Sequence, residues 1–290
     1  MPSKLWLFAG DIKIAHTVFA LPFALLSTFL ASSPHFPALG KLGLILLCMV
    51  SARTVAMAAN RLLDADIDSA NPRTAGRAIP SGRLSRGYVM TFLAVCAVLF
   101  IAASALFYFI YRNPWPALLS LPVLGFVCAY PLMKRWTRLC HYYLGAALAL
   151  APVCAWIAMR GDLRWPPLIM AGAVLTWTAG FDILYACQDY TADIAGGLHS
   201  IPARLGIPLA LCVARLTHLL SVALLILLGF ATPQFHTLYF VGVGLAIVLL
   251  CIEHAVARAD DLSRINLAFF TLNGFISLVL GTLGIIDALR

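Results

Sequence analysis

Apolar stretches of about 20 residues, separated by short polar breaks, run along the whole chain. Nine of them cover about 12–32, 40–60, 87–109, 115–133, 141–159, 166–186, 205–230, 237–257 and 266–288. None alternates polar and apolar residues with a period of two, so the pattern predicts helices rather than strands. A helix needs roughly 20 apolar residues to cross the hydrocarbon of a bilayer, and every stretch is of that order. The expected fold class is all-α, a polytopic membrane protein. Two polar segments, about 61–86 and 187–204, are longer than the other breaks. The first contains Asn71-Pro72, Gly76, Pro80 and Ser81-Gly82, and the second Gly196-Gly197 and Pro202, which mark turns rather than continued helix. Both follow even-numbered stretches and so fall on the same membrane face. The stretches flanking them are weak echoes of each other. With no sign of a soluble unit, residues 1–290 read as one domain.

Composition sharpens this picture. The chain is 62% hydrophobic and 11% charged, against about a quarter charged in a soluble domain. It has too little polar surface to cover itself in water. The net charge of +8 is distributed as membrane topology demands. Thirteen of the 20 Lys and Arg fall on the side that carries the N-terminus and the two long polar segments, five fall on the other side, and Arg53 and Arg215 lie near or inside spans. The basic side is expected to be cytoplasmic, with the N-terminus in and the C-terminus out. Positive residues confined to short loops argue against a nucleic-acid partner. Asp11 and Lys13 precede an apolar run long enough to span, which is not the pattern of a cleavable signal. The eight Cys are scattered, mostly inside apolar runs and without a CxxC pair, which reads as packing.

The chemistry sits in the carboxylates. Six of the 12 acidic residues occupy two short windows: Asp64, Asp66 and Asp68 at the end of the second stretch, and Asp182, Asp189 and Asp193 around the end of the sixth. Charge so close to the membrane interior marks a functional site by default. At 100° per residue Arg53, Asn60, Asp64 and Asp68 share an arc of roughly 80°, with Asp66 opposite. Asp182, Asp189 and Asp193 repeat the steps of seven and four within an arc of roughly 40°. Oxygen ligands at this spacing suit Mg²⁺, which keeps several waters and binds through one or two carboxylates plus substrate phosphates. Arg73, Arg77, Arg83, Lys134 and Arg135 are at hand for the remaining phosphate charge. The windows therefore read as a cradle for a diphosphate and its metal. The plainer alternative is that these carboxylates cap helices or pair with loop arginines.

The segment Asn60-Arg61-Leu62-Leu63-Asp64-Ala65-Asp66-Ile67-Asp68 resembles the NxxxDxxxD signature of the UbiA superfamily of intramembrane prenyltransferases. Asp189-Tyr190-Thr191-Ala192-Asp193 is similar to its second signature, DxxxD, and Tyr130-Pro131-Leu132-Met133-Lys134 to its YxxxK element. The resemblance implies nine transmembrane helices around a central cavity. It implies Mg²⁺-dependent transfer of a polyprenyl group from its diphosphate to an aromatic acid in quinone biosynthesis, at the bacterial cytoplasmic (inner) membrane. By position, Asn60, Asp64 and Asp68 would bind one Mg²⁺ with the diphosphate, and Asp189 and Asp193 a second. Arg53, Arg77, Lys134 and Arg135 would hold diphosphate oxygens, with Tyr130 in the same element. Asp182 and Tyr185 would line the cavity near the acceptor, where Gly180 and Ala186 leave room. Many members that prenylate 4-hydroxybenzoate have Asp directly after the Asn, where this chain has Arg61. The stretches Asn71–Ala78 and Gly197–Arg204 resemble instead the menaquinone branch that prenylates a dihydroxynaphthoate.

Other residues carry weaker signals. Phe19, Phe23, Tyr130 and Phe181 are candidates for stabilising an allylic cation through their ring faces, or for packing. His16, His141 and His199 are candidate acid–base groups, and Glu253 with His254 reads as a pair at the membrane interface. An ion-coupled transporter is the rival class, although its carboxylates would sit at the midplane. A scaffold subunit would leave both Asp windows without a purpose.

Overall fold

The computed structural model describes residues 4–12, 19–259, 261–262, 265 and 268–290. The candidate His16 and the basic residues Lys13 and Arg264 lie outside the described residues. All regular elements among the described residues are helical. In chain order they are α1 (Lys4–Asp11), α2 (Leu21–Ser32), α3 (Leu39–Leu63), α4 (Ala65–Ala70), α5 (Arg86–Tyr111), α6 (Trp115–Met133), α7 (Cys140–Arg160) and α8 (Trp165–Ala186). After a 3₁₀ turn at Cys187–Asp189 come α9 (Tyr190–Ala195), α10 (Ile201–Leu205), α11 (Ile207–Ala231) and α12 (Thr237–Val256). A π-helical turn at Ala268–Leu272 leads into α13 (Asn273–Ala288). Each of the nine apolar stretches contains helix among the described residues, the first over Leu21–Ser32. Eight helical stretches among the described residues are long and apolar enough to cross a membrane, and α2 is a shorter apolar helix.

The chain departs from the sequence expectation at both acidic windows. Asp64 does not continue a helix. It sits between α3 and α4 at φ −94°, ψ 0°. Asp189 sits between the 3₁₀ turn and α9 at φ −96°, ψ 8°. Asp64 and Asp189, each the first Asp of its DxxxD pair, thus occupy the same sparsely used bridge conformation, and the second Asp of each pair follows in a new short helix. Asp is a poor residue for a helix interior, so each pair breaks the helix where its first carboxylate is drawn sideways to a partner. The two halves echo each other in backbone as well as in sequence.

Helix α7 packs along α8 and α8 along α11, while α3 packs along α5. Small residues let the first pair approach. A Cβ at Gly145 would lie 2.3 Å from the carbonyl oxygen of Leu175, which is backbone and cannot swing away. Gly145→Ala is therefore expected to lower the thermal unfolding temperature in detergent, at an overpacking cost of about 1–3 kcal/mol. Gly125→Ala, with nothing within 4 Å of the new Cβ, should leave it unchanged. The largest core cluster joins α2, α7, α8, α11, α12 and α13 through Phe23, Leu26, Met170, Trp177, Leu228, Tyr239 and Leu280.

Two sequence expectations fail here. Glu253 and His254 are not a pair at the interface. Glu253 is 1% exposed and accepts from Asn273 Nδ2 at 2.6 Å, while His254 Nε2 meets His218 Nδ1 at 2.9 Å. Their place in the last turn of α12 suggested the membrane surface, but α13 covers that turn. Gly180 does not widen the cavity beside Asp182 either. A Cβ there would lie 2.2 Å from His218, so its missing side chain makes room for α11.

Candidate diphosphate and metal site

Helix α6 ends at Met133, which places Lys134 and Arg135 over the end of α3. Asp64 is 2% exposed and Asp68 4%, so neither charge can rely on water. Asp64 Oδ2 accepts from Lys134 Nζ at 2.7 Å and from Asn60 Nδ2 at 2.8 Å. Its Oδ1 has no hydrogen-bond donor, and Arg135 Nη2 lies 3.8 Å from it. Arg135 itself donates to the carbonyl of Leu63. Both oxygens of Asp68 accept from Arg77 Nη1, each at 2.7 Å. Asp66 faces outward, as its helical phase predicts, and pairs with Arg86.

The loop after α4 crosses to the second window. Asn71 Nδ2 donates to Asp189 Oδ1 at 2.8 Å, and Arg73 Nε to the same oxygen at 2.8 Å. Arg73 Nη2 donates to Asp189 Oδ2, and its Nη1 reaches the Tyr185 hydroxyl at 2.8 Å. Burial disfavours the Arg73 charge, but these bonds outweigh it and hold its pKa above the ordinary value. Asn71 also fixes the turn, since its Oδ1 accepts from the Arg73 backbone N–H at 3.0 Å. Asp193 Oδ2 accepts from Ser200 Oγ at 2.5 Å. Asp182 Oδ2 lies 2.7 Å from His141 Nδ1.

One cavity of about 280 Å³ joins the two windows. Arg53, Asn60, Asp64, Asp68, Arg77, Tyr130, Lys134, Asp182, Tyr185, Asp189 and Asp193 all line it. Arg135 reaches it only through Asp64. Phe19 and Phe181 line it too, whereas Phe23 packs against Trp177 in the core. His199 gives its backbone N–H to Lys134 O at 2.7 Å, and its Nδ1 has no partner. A second, apolar chamber of about 180 Å³ runs between α3, α5, α6 and α7. Arg53, Met57, Tyr130, Leu144 and Leu148 line both spaces, so the charged cavity continues into the apolar one.

Arg61 ties the first motif to α1. It is 3% exposed, donates twice to Asp11 O on α1 at 3.0 and 2.9 Å, and once to Asn60 Oδ1 at 2.6 Å. Asp11 in turn accepts from the Ala78 N–H at 3.0 Å. Arg61 thus orients the Asn60 amide so that its nitrogen faces Asp64. Sequence reading also missed Asn71, Ser200 and the partnership of His141. The Asn-Pro turn signal at Asn71 was visible, but its partner is 118 residues away.

The donor set fits a hard divalent cation such as Mg²⁺. Every group offered is oxygen, and Asp64 Oδ1 is a buried carboxylate oxygen without a donor. Among the described residues no three His, Cys, Asp or Glu gather closely enough to hold an ion by themselves. That matches an ion bound by one or two carboxylates and completed by phosphate and water.

A bundle of membrane-length helices around paired aspartates, basic residues and an adjoining apolar chamber defines an intramembrane enzyme for an anionic, lipid-like substrate. The chain matches the UbiA prenyltransferase family over residues 20–279, and it belongs to that family. It is a prenyltransferase. Among similar proteins, 4-hydroxybenzoate octaprenyltransferase of Marinomonas sp. (strain MWYL1) is 30% identical over 223 residues, 75% of each chain. Protoheme IX farnesyltransferase of Bradyrhizobium sp. (strain BTAi1 / ATCC BAA-1182) is 32% identical over 195 residues, 64% of this chain and 58% of that one. The apo structure of a UbiA homolog from Aeropyrum pernix K1 superposes with a TM-score of 0.84 at 30% identity, covering 94% of this chain and 98% of that one. A UbiA homolog from Archaeoglobus fulgidus, bound to GPP and Mg²⁺, shares the fold with a TM-score of 0.73 at 21% identity over 97% and 99% of the chains.

Proposed function

We propose that residues 1–290 form one catalytic domain that transfers a polyprenyl group from its diphosphate to an aromatic acid. The observation that carries this reading is the single cavity where both aspartate windows, five Lys and Arg side chains and the mouth of an apolar chamber meet. Asp64, oriented by Asn60, with Asp68, and Asp189 with Asp193, would each hold Mg²⁺, which supplies charge neutralisation for the departing diphosphate. Arg53, Arg77, Lys134 and Arg135 hold diphosphate oxygens, and preorganised cations of this kind lower the barrier to C–O cleavage. Tyr130 sits at the junction of the two spaces, where the donor's first carbons pass. Phe19 and Phe181 offer ring faces to the allylic cation, and the surrounding helices keep water from it. Asp182 and Tyr185 mark the acceptor side.

The acceptor we infer is a dihydroxynaphthoate, so the product belongs to menaquinone synthesis. The Asn71–Ala78 and Gly197–Arg204 stretches support it. Arg61 supports it through the resemblance alone, because its guanidinium is engaged by Asp11 and Asn60. The names of the similar 4-hydroxybenzoate octaprenyltransferases favour a second reading, ubiquinone synthesis. Purified protein incubated with Mg²⁺, a polyprenyl diphosphate and both acids together decides between them. Mass spectrometry should show the naphthoate product in excess, and equal or greater prenylation of 4-hydroxybenzoate reverses the assignment. Absence of either product removes the aromatic-acid reading.

Orientation is tested separately. With the basic side cytoplasmic, the two windows face the cytoplasm of a bacterial inner membrane. In a Cys-free variant, single cysteines at the exposed positions Ser81 and Ala195 should resist an impermeant thiol reagent in intact cells. One at the exposed Leu163, on the opposite face, should react. Labelling at Ser81 or Ala195 reverses the topology.

A further inference from the structure

We propose that His141 is a positioning residue that holds the Asp182 carboxyl turned toward the aromatic acceptor. His141 lies in the first turn of α7, is 3% exposed and touches two other elements. Its Nδ1 is 2.7 Å from Asp182 Oδ2 on α8. Its Nε2 is 3.2 Å from the backbone nitrogen of Ile201, at the start of α10. A backbone N–H can only donate, so Nε2 must present its lone pair there. The ring then carries its single proton on Nδ1, where it can only donate to Asp182. An imidazolium would set two donors against each other at Ile201. The ring is therefore a neutral imidazole that donates from Nδ1 to the Asp182 carboxyl.

The consequence falls on Asp182. One of its oxygens is committed to His141, while its side chain keeps 23% of its surface in the cavity. The oxygen left over accepts a hydrogen bond from a hydroxyl of the acceptor and so raises the electron density of the ring that captures the prenyl cation. This rests on the aromatic-acid reading above. His141 also satisfies an N–H at the start of α10 that has no partner within that helix. Next to it, Ser200 bonds Asp193. The same imidazole therefore ties the acceptor wall to the segment that steadies the second aspartate window.

Two variants separate the two bonds. His141→Asn can keep a donor near the Nδ1 position, and His141→Gln can keep an acceptor for Ile201 while losing the donor to Asp182. Steady-state kinetics in proteoliposomes, with donor and acceptor varied in turn, should show His141→Gln at least about tenfold lower in kcat/KM for the acceptor. The donor KM and the thermal unfolding temperature should stay unchanged, and His141→Asn should recover most of the loss. Equal losses for donor and acceptor in both variants, or no loss in either, overturn the proposal. Nitrogen-15 NMR of wild-type protein with labelled histidine gives a readout that needs no active variant. It should show one buried ring protonated at Nδ1 and bare at Nε2, and a doubly protonated His141 overturns the assignment. If wild type prenylates neither aromatic acid, the functional reading falls while the NMR result still decides the state of the pair.

Discussion

Asp64→Ala and Asp189→Ala are each expected to abolish prenyl transfer while the protein still inserts and folds. Each removes a carboxylate that faces the cavity rather than the apolar packing. Loss of a group that merely orients a metal ligand typically costs 10–100-fold, so losing the ligand itself should reduce kcat by at least about a hundredfold. Stability should survive because the stranded partners have an exit. The Lys134 side chain is 27% exposed and that of Arg73 30%, so each can turn its charge to water. Asp66→Ala, whose carboxylate is 86% exposed and paired with Arg86, is the control and should transfer normally. Transfer by either site variant within a few-fold of wild type at saturating Mg²⁺ would sink the metal assignment.

Filling the apolar chamber is expected to separate long donors from short ones. Ala151 and Ala155 line it and are nearly buried, so Ala155→Trp plugs it without touching the charged cavity. The chamber adds little affinity, since bilayer lipid is as apolar as its walls. Its work on the proposed function is geometric: it would give the tail a path that lets the diphosphate reach the aspartates. A blocked path should lower kcat/KM for an eight-isoprene donor by at least about a hundredfold, or ~2.7 kcal/mol. A five-carbon donor, which has no tail to house, should keep most of its rate and so prove the fold intact. Equal losses with both donors would place the tail elsewhere.

The helices were legible from the chain because a bilayer imposes one linear demand, about 20 apolar residues per crossing. The aspartate faces were legible because i, i+4 spacing survives even where the helix is interrupted. The interruptions themselves were not. Asp64 and Asp189 leave helical geometry for partners just after α6 and in the 71–84 loop, which no local pattern announces. Arg73 meets Asp189 across 116 residues and His141 meets Asp182 across 41, distances at which sequence spacing is silent. Glu253 was misplaced for a related reason. A charged residue in the last turn of a span looks interfacial until the next helix is seen to lie over it.

The contacts of Arg73 with Asp189 and of Arg77 with Asp68 carry a thermodynamic consequence. A divalent cation arriving alone at either carboxylate must compete with a guanidinium anchored in the same loop. A diphosphate arriving alone at either guanidinium must compete with the carboxylate. Each newcomer by itself strands one member of an ion pair, whereas the two together satisfy both members. Their binding is therefore positively cooperative, and linkage makes the effect reciprocal. The factor by which diphosphate raises affinity for the ion equals the factor by which the ion raises affinity for diphosphate. On the proposed function, the 71–84 loop would act as a coincidence detector, committing the donor only when both are present.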